Sequence, residues 1–219
     1  MDQLNFENLK ARHRSIRDDL PQALSLRTHR ALSWLKRAEQ ETEDNDARFI
    51  FLWISFNAAY SNEFHEELKF SEAKMFLHFL SRLIDSDTGR LLYQIVWSEF
   101  PGSIRLLIDN KYVFQPFWEH KRGNLSEDEW QDSFTRSKAS PSRALGRMNT
   151  RKVLAVIFDR LYVLRNQLMH GSATWNSSVN RDQVRDSANI LGQLVPAIIS
   201  IMLDSGSELW GEPRYPVVD

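Results

Sequence analysis

Apolar residues recur along much of the chain at steps of three and four, which is the spacing of amphipathic α-helices. The pattern predicts an all-α fold, a helical bundle in which further helices surround a core. We expect a single domain over residues 1–219. The four core helices are predicted at about residues 22–40, 46–62, 149–169 and 181–203.

Two residues stand out within these predicted helices. Arg48 lies near the start of a segment that is apolar on nearly every side, and we predict that its side chain stays at the surface. Pro196 lies inside the last helix, where a proline lacks the N–H group that the helix needs. We therefore expect this helix to be kinked or broken at Pro196.

A polar and charged segment at about residues 100–142 interrupts the pattern and is predicted to be an insertion. Ser126 and Glu129 have the spacing of a capping box, which predicts a short helix from about residue 127. Residues 111–120 mix aromatic and basic side chains. They form either a non-helical segment packed on the bundle or a surface that stacks unpaired bases.

Three residues at the end of the helix predicted at 149–169 have side chains suited to catalysis. Arg165 can hold a phosphate in its planar fork, and His170 can move protons near neutral pH. Gly171 follows as a helix stop. On an unbroken helix Asn166 and His170 share a face, whereas Arg165 and His170 point roughly 140° apart. The three groups can therefore act together if the helix unwinds near His170 or if a second copy of the chain completes the site.

Arg165-Asn166-x-x-x-His170 resembles the Arg-x4–6-His signature of HEPN domains, and Arg48–Tyr60 resembles an aromatic-rich helix found in several HEPN branches. The resemblance implies a helical bundle of HEPN type that cleaves RNA without metal through attack by the 2′-hydroxyl. Arg165, Asn166 and His170 would be the catalytic residues, at the interface of a homodimer. Such proteins serve as toxins or defence effectors, which implies a possible antitoxin or defence partner.

One position departs from part of that family. In HEPN toxins that a nucleotidyltransferase antitoxin silences, a tyrosine lies two residues after the histidine, whereas this chain has Ser172. The resemblance therefore does not extend to regulation by AMP transfer.

Other polar residues allow two interpretations each. Asn57, inside the apolar helix, either supports the catalytic residues or caps a backbone group. The basic segment Lys10–Arg17 is either an RNA-backbone contact or a solvated helix face. A further set of basic side chains is a possible RNA-binding track toward His170: Arg147, Arg151, Lys152 and Arg160.

Composition narrows the function classes. The 28 basic and 29 acidic residues nearly cancel, which argues against nucleic-acid binding driven by global charge. With no cysteine there is neither a disulfide nor a thiolate metal site, and we expect no metal and no cofactor. We see no signal peptide and no apolar run of 18 residues, so we expect a cytoplasmic protein that does not enter a membrane. The alternative to a ribonuclease is a non-catalytic helical module that binds RNA or protein, in which Arg165 caps helix carbonyls and His170 has no chemical role.

Overall fold

A computed structural model of the chain describes residues 4–60, 72–178, 180–206 and 210–211. Helices dominate these residues, with no strand among them, and this confirms the all-α prediction. The chain divides into two compact units. The first comprises residues 1–91 and 188–219, and the second comprises residues 92–187.

Four helices and the larger part of a fifth build the first unit. They are α1 (Phe6–Ile16), α2 (Gln22–Glu39), α3 (Asn45–Tyr60), α4 (Glu72–Ser86) and α10 (Arg181–Ser205), whose first residues belong to the second unit. The helix expected at 46–62 is confirmed as far as Tyr60, and its last two positions lie outside the described residues. Aliphatic side chains of α2 and aromatic side chains of α3 and α4 are buried in this unit.

Two arginines of the first unit are buried or half-buried, contrary to what their charge suggests. Arg27 is buried on α2, and its guanidinium donates to the carbonyl of Ala59 at 3.1 Å, in the last turn of α3. Arg48 donates to the Asn189 side chain at 2.7 Å. The prediction that Arg48 is a surface residue is therefore wrong, because this hydrogen bond holds the side chain in a half-buried position on α3.

The last helix, α10, runs without a break from Arg181 to Ser205 and contains Pro196. The predicted break is therefore wrong, whereas the alternative, a kink at Pro196, stays a prediction. Residues 194–203 are all buried, so packing around the proline stabilises the helix and offsets the missing hydrogen bond. Of the described helices, α10 alone is long and apolar enough to cross a membrane, although the sequence suggested no such stretch. Most of that stretch is buried inside the protein.

The second unit contains shorter helices around one long one. In chain order they are α5 (Leu91–Gln94), a π-helical stretch (Ile95–Glu99), α6 (Pro101–Asp109), a 3-10 turn (Lys111–Val113), α7 (Gln115–Lys121), α8 (Glu127–Gly146) and α9 (Thr150–Met169). Aromatic side chains of α7, of α8 and of the residue before α7 form a cluster: Phe114, Phe117, Trp118, Trp130 and Phe134.

The segment predicted as an insertion is more helical than its polar sequence suggests. The capping box is confirmed, since the backbone N–H of Ser126 donates to Glu129 at 2.8 Å and the Ser126 hydroxyl accepts from the Glu129 N–H at 3.3 Å. The helix that follows is not short, however, because α8 continues through Pro141. Trp130 and Phe134 lie one turn apart on α8, and both side chains belong to the aromatic cluster, which they stabilise. The non-helical interpretation of residues 111–120 is also wrong, since most of them belong to the 3-10 turn and to α7.

Candidate active site at the end of α9

Helix α9 places the candidate site through its buried stripe. Val153, Ile157, Leu161 and Leu164 are buried, as their spacing predicts. Asn149 caps the helix by accepting from the N–H of Lys152 at 3.1 Å. The helix is therefore fixed along its length, and its exposed face has a defined direction.

The helix ends just before His170 through a left-handed stop. Gly171 has a φ of +67°. Its N–H donates to the carbonyl of Leu168 at 3.4 Å, and the N–H of Ser172 donates to the carbonyl of Gln167 at 2.9 Å. These two bonds are typical of a helix that stops at a glycine. Backbone N–H groups satisfy the last carbonyls, so Arg165 is not needed as their cap.

Asn166 holds Arg165. The Nη1 atom of Arg165 donates to the Oδ1 atom of Asn166 at 2.8 Å. The Nε atom of Arg165 is buried and has no hydrogen-bond partner within the part of the chain that the structure describes. A buried donor without a partner costs free energy, and an oxyanion placed beside Arg165 would satisfy it.

The hydrogen bond between Arg165 and Asn166 also affects the predicted divergence, in which Arg165 and His170 point apart on the helix. The N–H of His170 still donates to the carbonyl of Asn166 at 3.1 Å, so the Cα of His170 follows the helical path. Asn166 and His170 therefore share a face, as predicted. The long side chain of Arg165 reaches the side chain of Asn166, which lies on that face. The helix does not unwind before His170, because the left-handed residue is Gly171.

The solvent face around the motif carries apolar side chains. Tyr162 and Met169, which flank Asn166 at helical spacing, are each 46% exposed. Trp175, in the loop after His170, is 68% exposed. His170 itself is exposed. Exposed apolar groups grouped on one face are typical of a surface that meets a partner molecule.

A rigid turn lies beside the last turn of α9. The carbonyl of Tyr112 accepts from the Gln167 side chain at 2.6 Å and from the indole N–H of Trp118 at 2.8 Å. The ring of Tyr112 is partly exposed, whereas Phe114 and Phe117 are buried in the aromatic cluster. Of these three rings, only that of Tyr112 is therefore exposed near the motif.

The predicted basic track does not include Arg160. Its side chain is 1% exposed, lies 4.5 Å from the ring centroid of Phe114, and donates to the hydroxyl of Ser137 at 3.0 Å. Burial lowers the pKa of Arg160, while Asp159 beside it acts in the opposite direction. Arg160 lies three residues after Ile157 and four before Leu164, next to the buried stripe, and this spacing is the signal that could have predicted its burial.

The other basic residues of the track are exposed but far from the motif. Arg147 precedes α9, and Arg151 and Lys152 lie in its first turn. At 1.5 Å per residue, Lys152 and His170 are about 27 Å apart along the helix axis. These side chains can contact only distant parts of a bound RNA. Asn57 is half-buried on α3 in the first unit, whereas Arg165, Asn166 and His170 belong to the second.

Searches for related proteins identify no relative. No protein-family model matches this chain, and neither does any curated protein or solved structure with which it was compared. Within the described ranges, no three His, Asp or Glu side chains are grouped as metal ligands would be. The resemblance to HEPN domains therefore depends on the residues of α3 and of the end of α9.

Proposed function

We propose that this protein is a metal-independent endoribonuclease whose catalytic residues are Arg165, Asn166 and His170. One observation carries the proposal. Asn166 holds the half-buried guanidinium of Arg165 at the helix end that also presents the exposed His170, and the Nε of Arg165 has no hydrogen-bond partner among the described residues. The arrangement combines a cation suited to a phosphate with a group suited to proton transfer.

The chemistry follows from these roles. The imidazole of His170 takes the proton of a ribose 2′-hydroxyl, and the 2′-oxygen attacks the adjacent phosphorus. The bond from phosphorus to the 5′-oxygen breaks as the bond to the 2′-oxygen forms. Arg165 donates to the phosphate oxygens as negative charge develops on them. The products are a 2′,3′-cyclic phosphate and a 5′-hydroxyl, whose proton comes from an imidazolium.

We propose that a second copy of the chain supplies this imidazolium. His170 of one protomer would act as the base and His170 of its partner as the acid. Tyr162 and Met169 support a homodimer through this face, since both are exposed apolar groups that flank Asn166. Through the family resemblance, the proposal extends to a toxin or defence effector that is controlled by an antitoxin or another defence partner.

The test is cleavage of single-stranded RNA in EDTA by the wild type and by His170→Ala. General acid–base catalysis contributes about 10²- to 10⁴-fold, so we expect His170→Ala to lose at least about 10²-fold in rate with an unchanged helical circular-dichroism spectrum. His78→Ala, which removes another exposed histidine, is the matched control and should cleave at the wild-type rate. Equal rates for the wild type and His170→Ala would refute the proposal. Inactivity of folded, dimeric wild type would favour the non-catalytic module instead.

Arg165→Lys provides a second test of the same site. Lysine keeps the charge but lacks the fork that donates to both Asn166 and a phosphate oxygen. We expect this variant to bind RNA and to cleave it at least about tenfold more slowly. Growth arrest on expression of the wild type, relieved by His170→Ala, would support the role as a toxin.

A further inference from the structure

The basic segment Lys10–Arg17 is more than a solvated helix face. Arg12 points to α10, where it donates to Ser200 at 3.2 Å and forms an ion pair with Asp204. Lys10, His13 and Arg17, at steps of three and four, lie on one face of α1 and its end. The sequence alone does not show that Arg12 points one way while Lys10, His13 and Arg17 lie on another face.

His13 and Arg17 of that face line a pocket within the first unit together with residues of α2, and Lys10 lies beside it in contact with His29. The pocket has a volume of about 410 Å³ and is lined by His13, Arg17, Leu20, Ser25 and His29, among others. This volume falls in the usual range of small-molecule sites, about 300 to 1,000 Å³. Polar and charged side chains make up most of the lining, and two leucines, Leu20 and Leu26, add an apolar part.

His13 is the buried polar group of this pocket. Its side chain is 3% exposed, its Nε2 lies 3.1 Å from the hydroxyl of Ser25, and its Nδ1 has no hydrogen-bond partner among the described residues. Lys10 approaches from the same side, with its Nζ 3.1 Å from the Nδ1 of His29. A neutral imidazole with its proton on Nδ1 would accept from the Ser25 hydroxyl through Nε2 and offer the Nδ1–H as a donor to an anion.

The two cations beside the pocket, Lys10 and Arg17, have no buried carboxylate as a partner among the residues that the structure describes. Among the described residues, one ion pair involves this cluster: Arg17 and Asp18 lie 3.4 Å apart, and both side chains are mostly exposed to water. Such a pair contributes little. Burial first, and neighbouring cations second, lower the pKa values of Lys10, His13 and His29. Lys10 and Arg17 are cations on one face of α1, and a bound anion would relieve the repulsion between them.

We propose that this pocket binds a small phosphorylated ligand of mononucleotide size, with its phosphate at Lys10, His13 and Arg17 and its uncharged part against Leu20 and Leu26. The ligand class follows from the chemistry of the pocket. Arginine and lysine both bind phosphate, a free imidazole N–H adds a donor, and the leucines suit a ring or another apolar group. The pocket belongs to the first unit and the Arg165 motif to the second, so the two proposals are tested separately.

Calorimetric titration of the full chain is the test, with adenosine 5′-monophosphate, inorganic phosphate and adenosine as probes. We expect the nucleotide and phosphate to bind and adenosine not to bind. Lys10→Gln combined with Arg17→Gln should weaken nucleotide binding at least about tenfold, because two charge-assisted contacts are lost. Lys36→Gln combined with Arg90→Gln removes the same charge from exposed positions of the same unit, outside the pocket lining, and should leave the affinity unchanged.

Several outcomes would overturn the pocket proposal without bearing on RNA cleavage. The first is that neither phosphate compound binds, and the second is that adenosine binds as tightly as the nucleotide. The third is equal weakening of nucleotide binding in the two double variants. The fourth is binding only to vesicles that contain phosphatidic acid. Histidine-ring NMR of the wild type provides a measurement that depends on no variant. The nucleotide should shift the ring signals of His13 and His29 and leave that of His78 in place, and unshifted signals of His13 and His29 would also overturn the proposal.

Discussion

Gly171→Ala tests the helix stop that positions His170. Gly171 has a φ of +67°, and a Cβ built there meets no atom within 4 Å. The cost of alanine is therefore backbone strain and not a clash. The left-handed conformation costs a non-glycine residue about 1 to 2 kcal/mol. We expect the free energy of unfolding to fall by about 1.5 kcal/mol.

Urea unfolding followed by helical circular dichroism measures this loss. With an m value of about 3 kcal/mol/M, the midpoint should fall by about 0.5 M. Gly146→Ala is the matched control, since Gly146 ends α8 without a positive φ and with open space around it. Its midpoint should stay the same or rise slightly, because alanine favours helix. Gly171→Asn should lose less than Gly171→Ala, since asparagine tolerates this conformation. Equal midpoints for Gly171→Ala and Gly146→Ala would refute the reasoning.

Two further substitutions test the surroundings of the site by the same unfolding assay. Arg160→Ala removes a buried side chain and its hydrogen bond to Ser137, so we expect it to lower the free energy of unfolding by about 3 kcal/mol or more. The control is Lys152→Ala at an exposed position, which should change the free energy of unfolding by less than about 0.5 kcal/mol. Similar small losses for both would mean that Arg160 is a surface residue after all. Ser126→Ala removes the cap of α8 and should cost about 1 kcal/mol, and a variant as stable as the wild type would contradict the capping box.

The periodic parts of the fold could be predicted from the sequence. The helix expected at 149–169 lies at Thr150–Met169, and the glycine that follows is left-handed as expected of a stop. These features depend on neighbours three and four residues away, so local spacing contains the information. The extent of α8 could not be read in this way, because its polar sequence and Pro141 hide the few aromatic positions that stabilise it against α7.

The sequence was least informative about buried charges. Arg48 and Arg160 were both assigned to the surface or to a basic track by their charge alone. Each is held by a residue distant in the chain, Asn189 in one case and Ser137 in the other. Such partners depend on how the helices pack, which no local pattern specifies. The bond from Arg165 to Asn166 was likewise missed, since adjacent residues of an ideal helix point about 100° apart.

The most direct test of the central claim is cleavage of an RNA with a single 2′-deoxy substitution. The site is first mapped on the all-ribose RNA in EDTA, and the ends of the products are identified. The account predicts a 2′,3′-cyclic phosphate from the all-ribose RNA and no cleavage at that bond when the nucleotide on its 5′ side lacks the 2′-hydroxyl. Cleavage of the substituted RNA at the same bond, or products that end in a 3′-hydroxyl, would contradict 2′-hydroxyl attack at the end of α9.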